Sequence, residues 1–155
     1  MTQFHSEEEF VNSVQSFISK KLFQHAYDLI EEGLSSYPKS SKLRFHSAQL
    51  ALDTLDFIKA LKILEELNKQ DPCQPSTLVL LSRAWSHNGD FDKAIVYLDQ
   101  AEELGANKLL MSIARAECYE RSRKLDLLDE CIQHMSKEAV SINIRARALI
   151  ARKDY

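Results

Sequence analysis

This chain has little of what makes sheets, staples or membrane spans. Its 155 residues include only 3 Gly and 3 Pro, too few for the many tight turns of an all-β fold, so helices joined by short loops are expected. Three cysteines, Cys73, Cys118 and Cys131, make an odd number with no C-x-x-C pair. That pattern speaks against a disulfide framework and for a reducing, cytoplasmic compartment. No run of about 18 apolar residues is present, so no membrane span is read. The acidic stretch Ser6-Glu7-Glu8-Glu9 follows no apolar h-region, so no secretory signal is expected. No basic run of five or more occurs: 20 Lys and Arg are interspersed with 23 Asp and Glu, for a formal charge of −3. Such a surface is the wrong field for a general nucleic-acid or membrane-surface role.

The groups that carry chemistry are equally sparse. No Gly-rich phosphate loop occurs. Glu7-Glu8-Glu9, Glu31-Glu32 and Glu102-Glu103 are neighbours in sequence, and neighbours on a helix point about 100° apart, so they read as solvated faces rather than acid/base pairs. His5, His25 and His134 have no nucleophile or carboxylate arrangement around them, and His46 with His87 is too thin a set for a metal. No enzyme activity, cofactor or metal is expected.

What is present is a repeat. Phe91, Ala94, Leu98 and Ala101 recur 34 residues earlier as Phe57, Ala60, Leu64 and Leu67, and again as Phe23, Ala26, Ile30 and Gly33. One step forward the slots hold Leu125, Leu128, Ile132 and Met135. A fixed period in this range marks an array of stacked units, none of which buries its apolar face alone.

Local signals divide each unit into two helices, A and B. Ser6 with Glu9 forms a capping-box pattern ahead of Phe10, Val14, Phe17 and Ile18, an apolar stripe for the first A helix. The next helix, from about Leu22 to Ser35, sets Phe23, Ala26, Tyr27, Ile30 and Leu34 inward and stops at Tyr37-Pro38. Ser40 or Ser41 caps the third helix, Asp56 the fourth and Asp90 the sixth, while Pro75 opens the fifth. Asn88-Gly89 and Leu104-Gly105 are helix ends. Two further helices are expected at about 108–121, with Leu109, Ile113, Ala116 and Tyr119 apolar, and at 125–135. A terminal helix at 139–152 resembles another A helix, and the turn signal Lys153-Asp154-Tyr155 after it suggests a chain that continues.

These residues resemble the tetratricopeptide repeat, a 34-residue helix–turn–helix unit. Numbered from residues 7, 41, 75 and 109, the small slot at position 8 holds Val14, Ala48, Ser82 and Ala116, and the alanine slot at position 20 holds Ala26, Ala60, Ala94 and Leu128. The aromatic slot at position 11 holds Phe17, Ala51, Trp85 and Tyr119; the proline slot at position 32 holds Pro38, Pro72, Ala106 and Val140. The resemblance implies an all-α fold, a right-handed α-solenoid of such repeats. Residues 1–155 are then one repeat domain with units at about 7–40, 41–74, 75–108 and 109–138 and a terminal helix at 139–152.

It also implies a concave wall built from the A helices. On that wall stand Asn12 and Gln15, then Lys42, Phe45, His46, Gln49 and Asp53. Val79, Arg83, Ser86 and His87 follow, and then Leu110, Glu117, Glu120 and Arg121. The candidate partner-binding residues are Gln15, Phe45, His46, Gln49, Val79, Arg83, His87, Glu117 and Arg121. Apolar spots, amides and both charges suit an extended peptide or a helix laid in a groove. The carboxylate clamp of chaperone-binding members is absent, because its slots hold Val11, Gln15, Ser76 and Leu80. The expected function is a non-enzymatic, cytoplasmic interaction scaffold for a protein or peptide, without nucleic acid or membrane insertion. The alternative is an accessory module of a longer enzyme or of a secretion or assembly component. Self-association through the helix at 139–152 is a further expectation.

Overall fold

The computed structural model describes residues 6–134, and the helix expected at 139–152 lies outside them. The described residues form α1 (Glu7–Ser19), α2 (Phe23–Ser36), α3 (Ser41–Asp53), α4 (Phe57–Gln70), α5 (Pro75–His87), α6 (Phe91–Glu103), α7 (Lys108–Arg121) and α8 (Leu125–His134). The chain divides into two compact units, Met1–Pro72 and Cys73–Tyr155. In the first, α1 packs on α2 and α3, α2 on α3, and α3 on α4. In the second, α5 packs on α6 and α7, α6 on α7, and α7 on α8. The pattern is the same twice: the first leading helix of each unit touches its own partner and the unit's second leading helix.

The helices begin where side chains supply the missing acceptors. Ser6 accepts from the backbone N–H of Glu9, and Glu9 reaches back to the Ser6 N–H at 3.1 Å, completing the capping box. Ser40 accepts from Leu43 N–H, which decides between the two serines at the start of α3. Asp56 and Asp90 accept from Lys59 and Lys93 N–H, both at 3.1 Å. Leu22 stands in the equivalent slot of α2 and makes no side-chain cap.

The turn inside each helical hairpin is one structure used four times. Lys21, Leu55, Gly89 and Arg123, each 34 residues from the next, all have positive φ, between 58° and 86°. In the third turn Gly89 N–H donates to Ser86 C=O and Asp90 N–H to Trp85 C=O, the paired bonds that close a helix through a left-handed residue. The other three turns repeat both bonds: Lys21 to Ile18 with Leu22 to Phe17, Leu55 to Leu52 with Asp56 to Ala51, and Arg123 to Glu120 with Lys124 to Tyr119. Only the third turn places glycine, the residue with no Cβ to clash, at that position.

Packing follows the repeat register. Val14, Ala48, Ser82 and Ala116 are buried, as are Ala26, Ala60, Ala94 and Leu128. At all of these positions but Leu128 a compact side chain lets the helices of a hairpin approach, and Ile30, Leu64 and Leu98 fill the space beside them. Full burial of each such aliphatic side chain stabilises the fold by about 1.5–3 kcal/mol. Gly33 marks the tightest approach in the first unit: a Cβ there would lie 2.9 Å from Leu43 Cδ1 and 3.1 Å from Phe10 Cδ1. One side chain expected inside is not. Tyr27 is exposed, one step of about 100° round α2 from buried Ala26, and the Lys59 ammonium sits 5.0 Å from its ring centre. Leu109 is exposed in the first turn of α7. Trp85 is half-buried, with Lys93 Nζ 4.1 Å from its ring centre.

Candidate partner-binding faces

The leading helices of the hairpins, α1 and α3 in the first unit and α5 and α7 in the second, carry every candidate residue. On α1, Gln15 is exposed. On α3, Phe45 is half-buried and meets His46 edge to face, ring centres 5.7 Å apart. His46 is buried rather than presented, and its Nδ1 lies 3.2 Å from Gln49 Oε1. Burial lowers the His46 pKa below 6.5 because the imidazolium would lose its water, and the Gln49 contact offsets part of that effect. The candidates of this unit that the structure brings together are therefore Phe45, His46 and Gln49, one patch whose floor is a neutral imidazole.

In the second unit Val79 is buried and His87 half-buried on α5, while Arg121 is exposed near the end of α7. Arg83 Nε donates to Glu117 Oε2 at 3.3 Å, joining α5 to α7 across residues one repeat apart. Arg83 Nη1 and Nη2 make no hydrogen bond among the described residues. Leu110, on the wall in sequence but not among the selected anchors, proves to be an exposed large aliphatic residue. Its signal was present in the register, since Leu110, Ile113, Glu117 and Arg121 follow at i, i+3, i+7 and i+11 on one stripe of α7.

Other concave features lie away from these stripes. One open cleft of about 660 Å³ is lined by Glu7 and the turn Ser36–Lys42, where Ser40 Oγ donates to Glu7. Another of about 460 Å³ is lined by Asn88–Asp92 with Ser122 and Lys124. Among the described residues no group of three or more His, Cys, Asp and Glu is placed to hold a metal. No helix there is long and apolar enough to cross a membrane.

Comparison with solved structures decides the fold. The chain superposes on a thermophilic TPR protein of Thermus thermophilus with a TM-score of 0.78, over 96% of this chain and 82% of that one, at 16% identity. The chain has the tetratricopeptide-repeat fold. MamA AMB-1, in one of its crystal forms, matches with a TM-score of 0.62 over 97% of this chain and 81% of that one, also at 16% identity. In sequence the chain is 27% identical over 117 residues to the TPR repeat-containing protein YpiA of Bacillus subtilis (strain 168). That match takes in 76% of this chain and spans only about a quarter (27%) of YpiA. No protein-family model matches the sequence. Within the tetratricopeptide-repeat frame α1, α3, α5 and α7 are the A helices, and the αL residues 21, 55, 89 and 123 are the turns between A and B.

Proposed function

We propose that this protein is a non-enzymatic scaffold that holds a protein or peptide partner on the faces of its A helices. The observation that carries the reading is the surface of those faces. On α7 a large aliphatic side chain, Leu110, remains exposed on the stripe that carries Glu117, the partner of Arg83 in a guanidinium–carboxylate pair. Exposed Leu109 adjoins it, and on α3 half-buried Phe45 lies over His46. Apolar anchors beside charged and amide groups are what a peptide-binding wall needs: area to exclude water and directional groups to fix register. Phe45 and Leu110 supply apolar contact, Gln15 and Gln49 hydrogen bonds to a partner backbone, and Arg83 and Arg121 contacts to acidic groups; Val79, expected as an apolar contact, is buried. His46 meets the Phe45 ring edge to face, Glu117 pairs with Arg83, and His87 stands one turn further along α5.

The reading is tested by affinity capture from native lysate with wild type beside the Phe45→Ala/Arg83→Glu double variant, both checked for unchanged helical content. A protein retained by wild type and lost from the variant is the expected result. Identical capture by both would remove the A-helix faces from the function.

A further inference from the structure

The α5–α7 face has a division along its length that specifies a partner more narrowly than the reading above, on which this inference rests. The Arg83–Glu117 contact fixes how the two helices are set against each other. It aligns the stripe Ser76, Val79, Arg83, His87 on α5 with the stripe Leu110, Ile113, Glu117, Arg121 on α7. Both stripes run i, i+3, i+7, i+11, so each presents one side of its helix. The half nearer the helix N-termini carries the apolar residues, Val79 buried, Ile113 half-buried and Leu110 exposed, with exposed Ser76 opening the α5 stripe. The half nearer the C-termini is charged.

Within the charged half, Arg83 uses a single nitrogen. Its Nε faces Glu117 at 3.3 Å, a side-on contact rather than a two-pronged one. Both terminal nitrogens keep their N–H donors unused among the described residues, and the side chain is 30% exposed. A guanidinium in that state is preset for a second carboxylate, which would accept from its outward-facing N–H groups. Leu110 lies seven residues before Glu117, about 10 Å along the α7 axis. A partner must therefore present a carboxylate and an aliphatic side chain on one side, about 10 Å apart. An α-helix does so with residues seven apart, which repeat the register of the stripes it lies against. A β-strand alternates its side chains and offers about 7 or 13 Å on one side, which misses both groups at once.

We propose that the α5–α7 face receives an amphipathic helix in which a carboxylate stands one heptad from a Leu, Ile or Met. The carboxylate pairs with Arg83, and the aliphatic residue covers Leu110 over the floor of Ile113 and Val79.

The test uses the full chain and a display library of random 18-residue peptides, followed by fluorescence anisotropy and circular dichroism on the enriched peptides. The expected result is enrichment of Asp or Glu seven residues from an aliphatic residue, with helix content rising on binding. Affinity is expected to fall about tenfold for Arg83→Glu and for Leu110→Ser, and to hold for Val96→Ser on the exposed side of α6. Replacing the peptide's carboxylate by Lys should restore binding to Arg83→Glu and to no other variant. Enriched peptides that carry another spacing, bind without gaining helix, or ignore Arg83→Glu or Leu110→Ser would overturn the proposal, as would an empty selection. If any of these occurred while the double variant still lost its partner from lysate, the A-helix reading would stand and only the helical ligand would fall.

Discussion

Leu55 pays twice for its position in the chain: its backbone is left-handed, φ 65°, and its aliphatic side chain is mostly exposed. A left-handed conformation costs an L-residue roughly 1–2 kcal/mol, and glycine almost nothing. Leu55→Gly is therefore expected to stabilise the protein by about 1 kcal/mol in urea unfolding, and Gly89→Leu to destabilise it by a similar amount. Lys21 and Arg123 are held the same way and should respond in the same direction. His46 makes a second residue-scale prediction. Burial lowers its folded pKa below the unfolded 6.5, so between those two values the unfolded chain binds more protons than the folded one. Stability is then complete above pH 6.5 and falls as pH drops through the lowered folded pKa. His46→Gln should flatten that part of a stability–pH curve. The cysteines follow burial in the same way. Cys118 is buried and its thiol pushed up by loss of water, whereas Cys73 is exposed. A thiol reagent should label Cys73 at once and Cys118 only on unfolding.

At the scale of the elements, Gly33 sets how closely α2 lies against Phe10 of α1 and Leu43 of α3. A β-branched side chain would have to displace both, so Gly33→Val is expected to cost about 1–3 kcal/mol and to lower the melting midpoint. Most of the element layer was legible in the sequence. Ser6 with Glu9, Asp56, Asp90, Pro75 and Gly89 name their own roles, because a cap or a turn is fixed by residues within a few positions of each other. The left-handed turns at Lys21, Leu55 and Arg123 were hidden, since none of those residues favours positive φ; only the 34-residue spacing from Gly89 points to them. Tyr27 was misplaced for a related reason. A hydrophobic stripe shows which residues can face a neighbour, and the width of the neighbour decides which of them it covers.

Across the whole molecule the repeat carries the fold, and in the proposed function a few side chains carry the specificity. The small slots at 14, 48, 82 and 116 and at 26, 60, 94 and 128 are buried throughout, which is why period and composition sufficed to read the architecture. The candidate faces were legible only as positions on A helices. That His46 is covered and that Arg83 faces Glu117 depend on neighbours from other helices or turns, which no single window of sequence displays. B-helix surfaces offer a direct control, because Ile58 on α4 and Val96 on α6 are both exposed aliphatic residues.

Partner binding on the A-helix faces is tested most directly by nuclear magnetic resonance titration of the labelled protein with the segment it captures. Shifts are expected in the methyl groups of Leu110 and Ile113, the Phe45 ring and the Arg83 Nε–H, with Ile58 and Val96 unmoved. Shifts centred on Ile58 or Val96, with Leu110 and Arg83 unchanged, would contradict binding on those faces.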